Sequence, residues 1–204
     1  KKLQTTQKIT KKLTTVKKMS APKFSKNKVE QTIELDEVFG IDFSNKRELR
    51  EYVGQLILDK IKTRTLNGVG MKFSDDGKGR EFDLTSVPYS KDYVSSMEFK
   101  AFGKKKGEVN LKLSGDMLGL MDIKKQSGNS LTIGWDDADE NKKAYNHSVG
   151  DTVPARPFFG VSKLELKQIA QEIKPKIKDA IKTLENQGRS SYQQKILSLI
   201  DELD

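Results

Sequence analysis

Met121-Asp122-Ile123-Lys124-Lys125-Gln126-Ser127-Gly128-Asn129-Ser130-Leu131-Thr132-Ile133-Gly134-Trp135 is the stretch on which the fold turns. Met121 and Ile123 open a strand, and Gly128-Asn129 has the backbone freedom of a tight hairpin. Leu131, Ile133 and Trp135 then fall on one face of the returning strand, since side chains alternate at every second residue. Two antiparallel strands with an apolar face must be covered by another layer. Helical periodicity on both sides of the hairpin offers that layer.

Upstream, Leu49, Tyr52, Val53, Leu56, Ile57 and Ile61 share a helical face behind Ser44 as N-cap, and Asn67-Gly68 stops the helix near Leu66. Leu58 falls about half a turn from this stripe. It reads as an exposed leucine that a subunit contact would use. Downstream, Pro154, Arg156, Pro157, Phe158, Phe159 and Gly160 form a rigid aromatic entry to a helix with a Ser162/Glu165 capping box. Leu166, Ile169, Ala170, Ile173, Ile177, Ile181 and Leu184 keep one face across Pro175, which predicts a long helix kinked there. Gln187-Gly188 ends it, and Tyr192, Ile196, Leu199, Ile200 and Leu203 form a short amphipathic helix.

Further strands are expected over Val29–Val38, ended by Gly40, and over Val109–Leu113, where Val109, Leu111 and Leu113 alternate with Asn110 and Lys112. Residues 67–89, with Gly68, Gly70, Gly77, Gly79 and Pro88, read as a long loop or irregular hairpin. Ser90–Met97 reads as a short helix, and Lys104, Lys105 and Lys106 as an exposed turn between Gly103 and Gly107. The fold class that follows is α+β: a twisted antiparallel sheet of about four strands packed against long amphipathic helices.

The charge is concentrated at one end. Residues 1–29 hold ten lysines and no acid, while the remaining 28 basic residues face 29 acidic ones, so the net +9 belongs to this segment. An arm this basic and this poor in large apolar groups is expected to be disordered when free. Lys1, Lys2, Lys8, Lys11, Lys12, Lys17 and Lys18 are the candidate contacts to DNA or to an acidic protein surface, because neutralising phosphates releases counterions. The expected division is a flexible arm over 1–28, an α+β domain over 29–187 and a helical extension over 188–204.

Composition removes most enzyme classes. The 204 residues contain no cysteine and a single histidine, His147, which excludes thiolate chemistry and multi-histidine metal sites. No Gly-Lys pair is followed by Ser or Thr, and no G-x-G-x-x-G, G-x-S-x-G or H-E-x-x-H occurs. Asp136, Asp137, Asp139 and Glu140 match no calcium loop and read as the acidic start of a helix. His147 reads as a helix-end residue. The expectation is no catalytic residue, no cofactor and no metal. No apolar run approaches the ~18 residues of a membrane span, so no membrane partner is expected.

Four blocks carry a family resemblance: Pro88-Tyr89-Ser90-Lys91-Asp92-Tyr93; Val109-Asn110-Leu111-Lys112-Leu113-Ser114-Gly115-Asp116-Met117-Leu118; Ala144-Tyr145-Asn146-His147-Ser148-Val149-Gly150; and Val153-Pro154-Ala155-Arg156-Pro157-Phe158-Phe159-Gly160. In this order they resemble the virion-morphogenesis or tail-completion family of tailed bacteriophages, as does the helix at 44–66 with Arg64-Thr65 and Asn67-Gly68. The resemblance implies a structural virion protein of the head–tail junction, made in the host cytoplasm. Its implied partners are neighbouring copies of itself in a ring, a hexamer being one arrangement, together with portal or connector proteins and tail tube or tail terminator proteins. Genomic DNA is a further candidate through the arm. Pro154, Arg156, Pro157, Phe158, Phe159 and Leu58 are the expected assembly interface. The alternatives are a nucleic-acid-binding protein working through the arm, or a tail-assembly factor absent from the mature particle.

Overall fold

A computed structural model describes residues 20–173 apart from 41, 45, 46, 75, 76 and 113. The arm lysines 1–18, the Pro175 kink and the segment 188–204 lie outside the described residues. The fold is α+β, with a four-stranded antiparallel sheet and a separate two-stranded hairpin. In chain order the sheet strands are β1 (Lys23–Ser25), β2 (Lys28–Glu34), β5 (Asp122–Ser127) and β6 (Ser130–Gly134), arranged β1-β2-β6-β5. The expected hairpin around Gly128 joins β5 to β6, with Gly128 at φ 57 and a bulge between Ile123 and Lys125.

The sheet is one-sided. Gln31 pairs with Ile133 and Ile33 with Leu131, and all four are buried to 0% exposure, so they make the core face. Thr32 pairs with Thr132 on the opposite, polar face, their hydroxyls 3.0 Å apart. The helix α2 (Arg47–Leu66) lies across β5 and β6 on the core face. Gly54 lets it approach: a Cβ there would stand 2.4 Å from Ile123 Cδ1.

Several expectations are corrected. The strand expected over Val29–Val38 stops at Glu34, and Leu35–Phe39 form a single helical turn, α1, closed by Gly40 in the left-handed region. The sheet begins at Lys23, inside the stretch assigned to the arm. Residues 109–112 are not a strand: Leu111 has φ 53, which breaks extended backbone while Val109 and Leu111 stay buried. The sheet therefore has its four strands, with β1 in place of the one expected at 109–113. Ser44 donates its hydroxyl to Asp42 Oδ2, and the residues 45 and 46 that lead from it into α2 lie outside the described residues.

Leu58 is the clearest correction. It is 1% exposed, whereas Tyr52 is 40% exposed. The buried stripe of α2 is Arg50, Val53, Gly54, Ile57, Leu58, Ile61, Arg64 and Thr65. Two arginines and a glycine on the inward side hide that phase from a hydropathy reading. Both arginines are buried because backbone carbonyls receive them: Arg50 donates to Phe43, Ser44 and Gly128, and Arg64 to Phe158 and Gly160.

Residues 67–89 are the hairpin of β3 (Val69–Phe73) and β4 (Gly79–Asp83) followed by a 3-10 turn, and Ser90–Met97 divides into α3 (Lys91–Ser95) and the start of α4 (Met97–Ala101). Beyond α5 (Asp116–Gly119) and α6 (Ala138–Val149), the chain threads back through the core. Phe158 and Phe159 are fully buried against Trp135, with ring centroids 6.1 and 4.9 Å away. They are core residues and not the exposed assembly surface expected of them. Gln31 substitutes for a sheet neighbour here, accepting from Val161 N and donating to Val161 O. Met71 N donates to Pro157 O, and a Cβ at Gly70 would stand 2.1 Å from that oxygen.

The capping box forms: Glu165 Oε2 accepts from Ser162 N at 2.9 Å, and Ser162 Oγ accepts from Glu165 N. It opens helix α7, described over 163–173, whose Leu166, Ile169 and Ile173 are buried. The other Glu165 oxygen meets Arg64 Nη1 at 2.5 Å, so the same carboxylate caps α7 and ties it to α2.

Candidate functional site

A pocket of about 290 Å³ opens beside α6. Asp137 caps this helix by accepting from Glu140 N, and Gly150 closes it in the left-handed region. That accounts for the acidic cluster: among the described residues no group of acids and His is placed to hold a metal. Glu140, Lys143 and His147 stand at i, i+3 and i+7, so one face of α6 forms a wall.

The opposite wall is aromatic. Ser90 caps α3 and Ser96 caps α4, each accepting from the backbone N–H three residues on. These caps fix Tyr93 and Phe99 against Tyr89, and the three rings meet edge to face with centroids 5.2 to 5.8 Å apart. Leu111, Met117 and Val153 add apolar surface.

Arg156 is 3% exposed and held rigidly. Its Nε donates to Val87 O and its Nη2 to Pro88 O, both at 2.8 Å, while its backbone N donates to His147 O. The guanidinium lies 5.1 Å from the Tyr89 ring centroid, and Lys104 Nζ lies 4.8 Å from it. Lys104 also donates to Lys112 O. Among the described residues Arg156 Nη1 has no hydrogen-bond partner and no carboxylate pairs with the guanidinium. Burial lowers its pKa. Lys143 does have a counter-ion, Glu140 Oε1 at 2.6 Å, and that hydrogen bond raises its pKa.

Three cations thus face one carboxylate in this pocket. Burial first, then the charges of Arg156 and Lys104, push His147 down to about 4, so its imidazole is neutral at ordinary pH. Among the described residues its Nδ1, the Tyr89 hydroxyl and Glu140 Oε2 are buried without a hydrogen-bond partner. The arrangement offers positive charge, unused hydrogen-bonding groups and an apolar lining.

Of the residues expected to form the assembly interface, only Pro154 and Arg156 line this pocket, Pro154 exposed at the rim and Arg156 in the wall. Pro157 is half-buried, with its carbonyl taken by Met71. Tyr89, Tyr93, Lys104, Lys143 and the pocket role of His147 were not foreseen. The i, i+3, i+7 spacing on α6 was available as a signal, but an apolar-periodicity search passes over a face made of Glu, Lys and His. Compared with protein-family models, curated proteins and solved structures, the chain matches none.

Proposed function

We propose that this chain is a non-enzymatic structural subunit of the bacteriophage neck, acting in a ring of its own copies between the portal–connector complex and the tail. The observation that carries the reading is convergence. The four blocks that resemble the tail-completion family are spread between residues 88 and 160, and they supply 11 of the 14 residues lining the pocket. Blocks that serve one site are expected to meet when the chain folds, and this convergence is what supports the reading.

Assembly is the mechanism in this reading. A rigid body of sheet and helices presents fixed surfaces, and binding partners lose little freedom when they meet preformed elements. The ten lysines of 1–29 favour a second reading, nucleic-acid binding through the arm. Single-strand binders interleave basic and aromatic residues on a platform, whereas residues 1–29 contain only Phe24. Deleting the gene from the encoding phage separates the readings. Filled heads and free, finished tails that fail to join are expected for a neck subunit. Joined particles with a DNA replication or packaging defect would favour the nucleic-acid reading.

A further inference from the structure

We infer that the pocket beside α6 is a binding site for a carboxylate carried on a short apolar stem, held by Arg156 and Lys104. This rests on the pocket's own chemistry, whichever complex the chain joins.

A buried guanidinium without a carboxylate is costly, because the charge loses its hydration and gains only neutral acceptors. Arg156 is nearly fully buried and fixed through Nε and Nη2 by two backbone carbonyls, and among the described residues no hydrogen bond engages Nη1 and no carboxylate pairs with the guanidinium. Its orientation is therefore set before any ligand arrives. Lys104 Nζ lies 4.8 Å from the centroid of the same Tyr89 ring that Arg156 approaches at 5.1 Å, and the Tyr89 hydroxyl, without a hydrogen-bond partner among the described residues, adds a third group able to donate. A two-oxygen monoanion matches these donors. A phosphate dianion would bring a third oxygen and a second charge beside Glu140, whose Oε2 has no hydrogen-bond partner among the described residues. The rest of the lining, Leu111, Met117, Val153 and Tyr93, suits an aliphatic stem, and about 290 Å³ lies at the lower edge of small-ligand pockets, roughly 300–1,000 Å³. A nucleic-acid duplex does not enter such a space. A free aliphatic acid and a Glu side chain flanked by apolar residues share the required chemistry.

The test is titration of the full-length protein with hexanoate, hexanamide and inorganic phosphate, followed through backbone amide NMR signals. Hexanoate is expected to shift Tyr89, Lys104, Met117, His147 and Arg156 in one saturable set. Hexanamide should bind about tenfold more weakly, the ratio of a charge-assisted to a neutral hydrogen bond. Lys104→Gln should weaken hexanoate by a similar factor and leave Tm unchanged; Arg156→Lys, which also loses backbone anchors, is read only alongside it. A blocked Leu-Glu-Leu peptide distinguishes the sources: tighter binding than hexanoate assigns a partner's side chain, weaker binding a free acid. Equal affinity for acid and amide, tighter binding of phosphate, no saturable shift, or indifference to Lys104→Gln would each overturn the inference.

Discussion

His147 is held neutral where an unfolded histidine would accept a proton. Its folded value near 4 lies below the ordinary 6.5, so the unfolded chain binds the proton first as the pH falls. The stability tied to the neutral ring is whole above about pH 6.5 and is lost as the pH falls toward 4. Between pH 7 and 5 the loss should be about 2 kcal/mol. His147→Gln, neutral throughout, should flatten that part of the curve, as read by urea unfolding at successive pH values; an unchanged slope would show that the ring is solvated. Arg64 and Glu165 allow a second test. Glu165→Ala strands a buried guanidinium and removes a cap, and should cost about 3–5 kcal/mol in denaturant unfolding. Replacing both partners by apolar residues should cost less than the sum of the two single changes. Neither residue's partner was legible in the sequence: the capping box announced Glu165 Oε2, but the bond to Arg64 spans 101 positions and has no local signature.

At the scale of elements, local chemistry marked ends better than faces. Asn67-Gly68 ends α2 and Gly128-Asn129 turns the β5–β6 hairpin because turns depend on adjacent residues. The phase of α2 depends on what packs against it, and inward Arg50, Gly54 and Arg64 turned the apparent apolar stripe away from the real one. Leu111 shows a related failure: alternation of apolar residues predicts a strand, but its left-handed backbone turns the chain while burying the same side chains. The prolines and phenylalanines of 154–160 predict an extended aromatic entry to a helix, but proximity to a helix start does not tell core from interface. Its burial predicts that Phe159→Ala destabilises the isolated subunit by about 3–5 kcal/mol, measured by chemical unfolding. Leu58→Ala should cost about 2–5 kcal/mol for the same reason. A wild-type melt for either variant would return these residues to the surface.

For the whole molecule, the partition between arm and body carries its own prediction. β1 lies at Lys23–Ser25, and Phe24 packs 6.5 Å from Phe159 between ring centroids. Deleting residues 1–19 should therefore leave Tm unchanged, while deleting 1–28 should lower it by removing an edge strand and that contact; differential scanning calorimetry reads both. If the arm engages DNA through roughly six or more phosphates, affinity should fall about a thousandfold between 50 and 200 mM salt. The fold class was legible because one hairpin and its covering helices were written in local periodicity. The pocket was not, since its walls come from blocks that meet only after folding. The neck reading joins these scales, and the composition of the particle tests it most directly. Quantitative mass spectrometry of purified virions should find the chain at a fixed low copy number, equal to or a simple multiple of the ring symmetry of the neck. Its absence from intact, infectious particles would contradict the account.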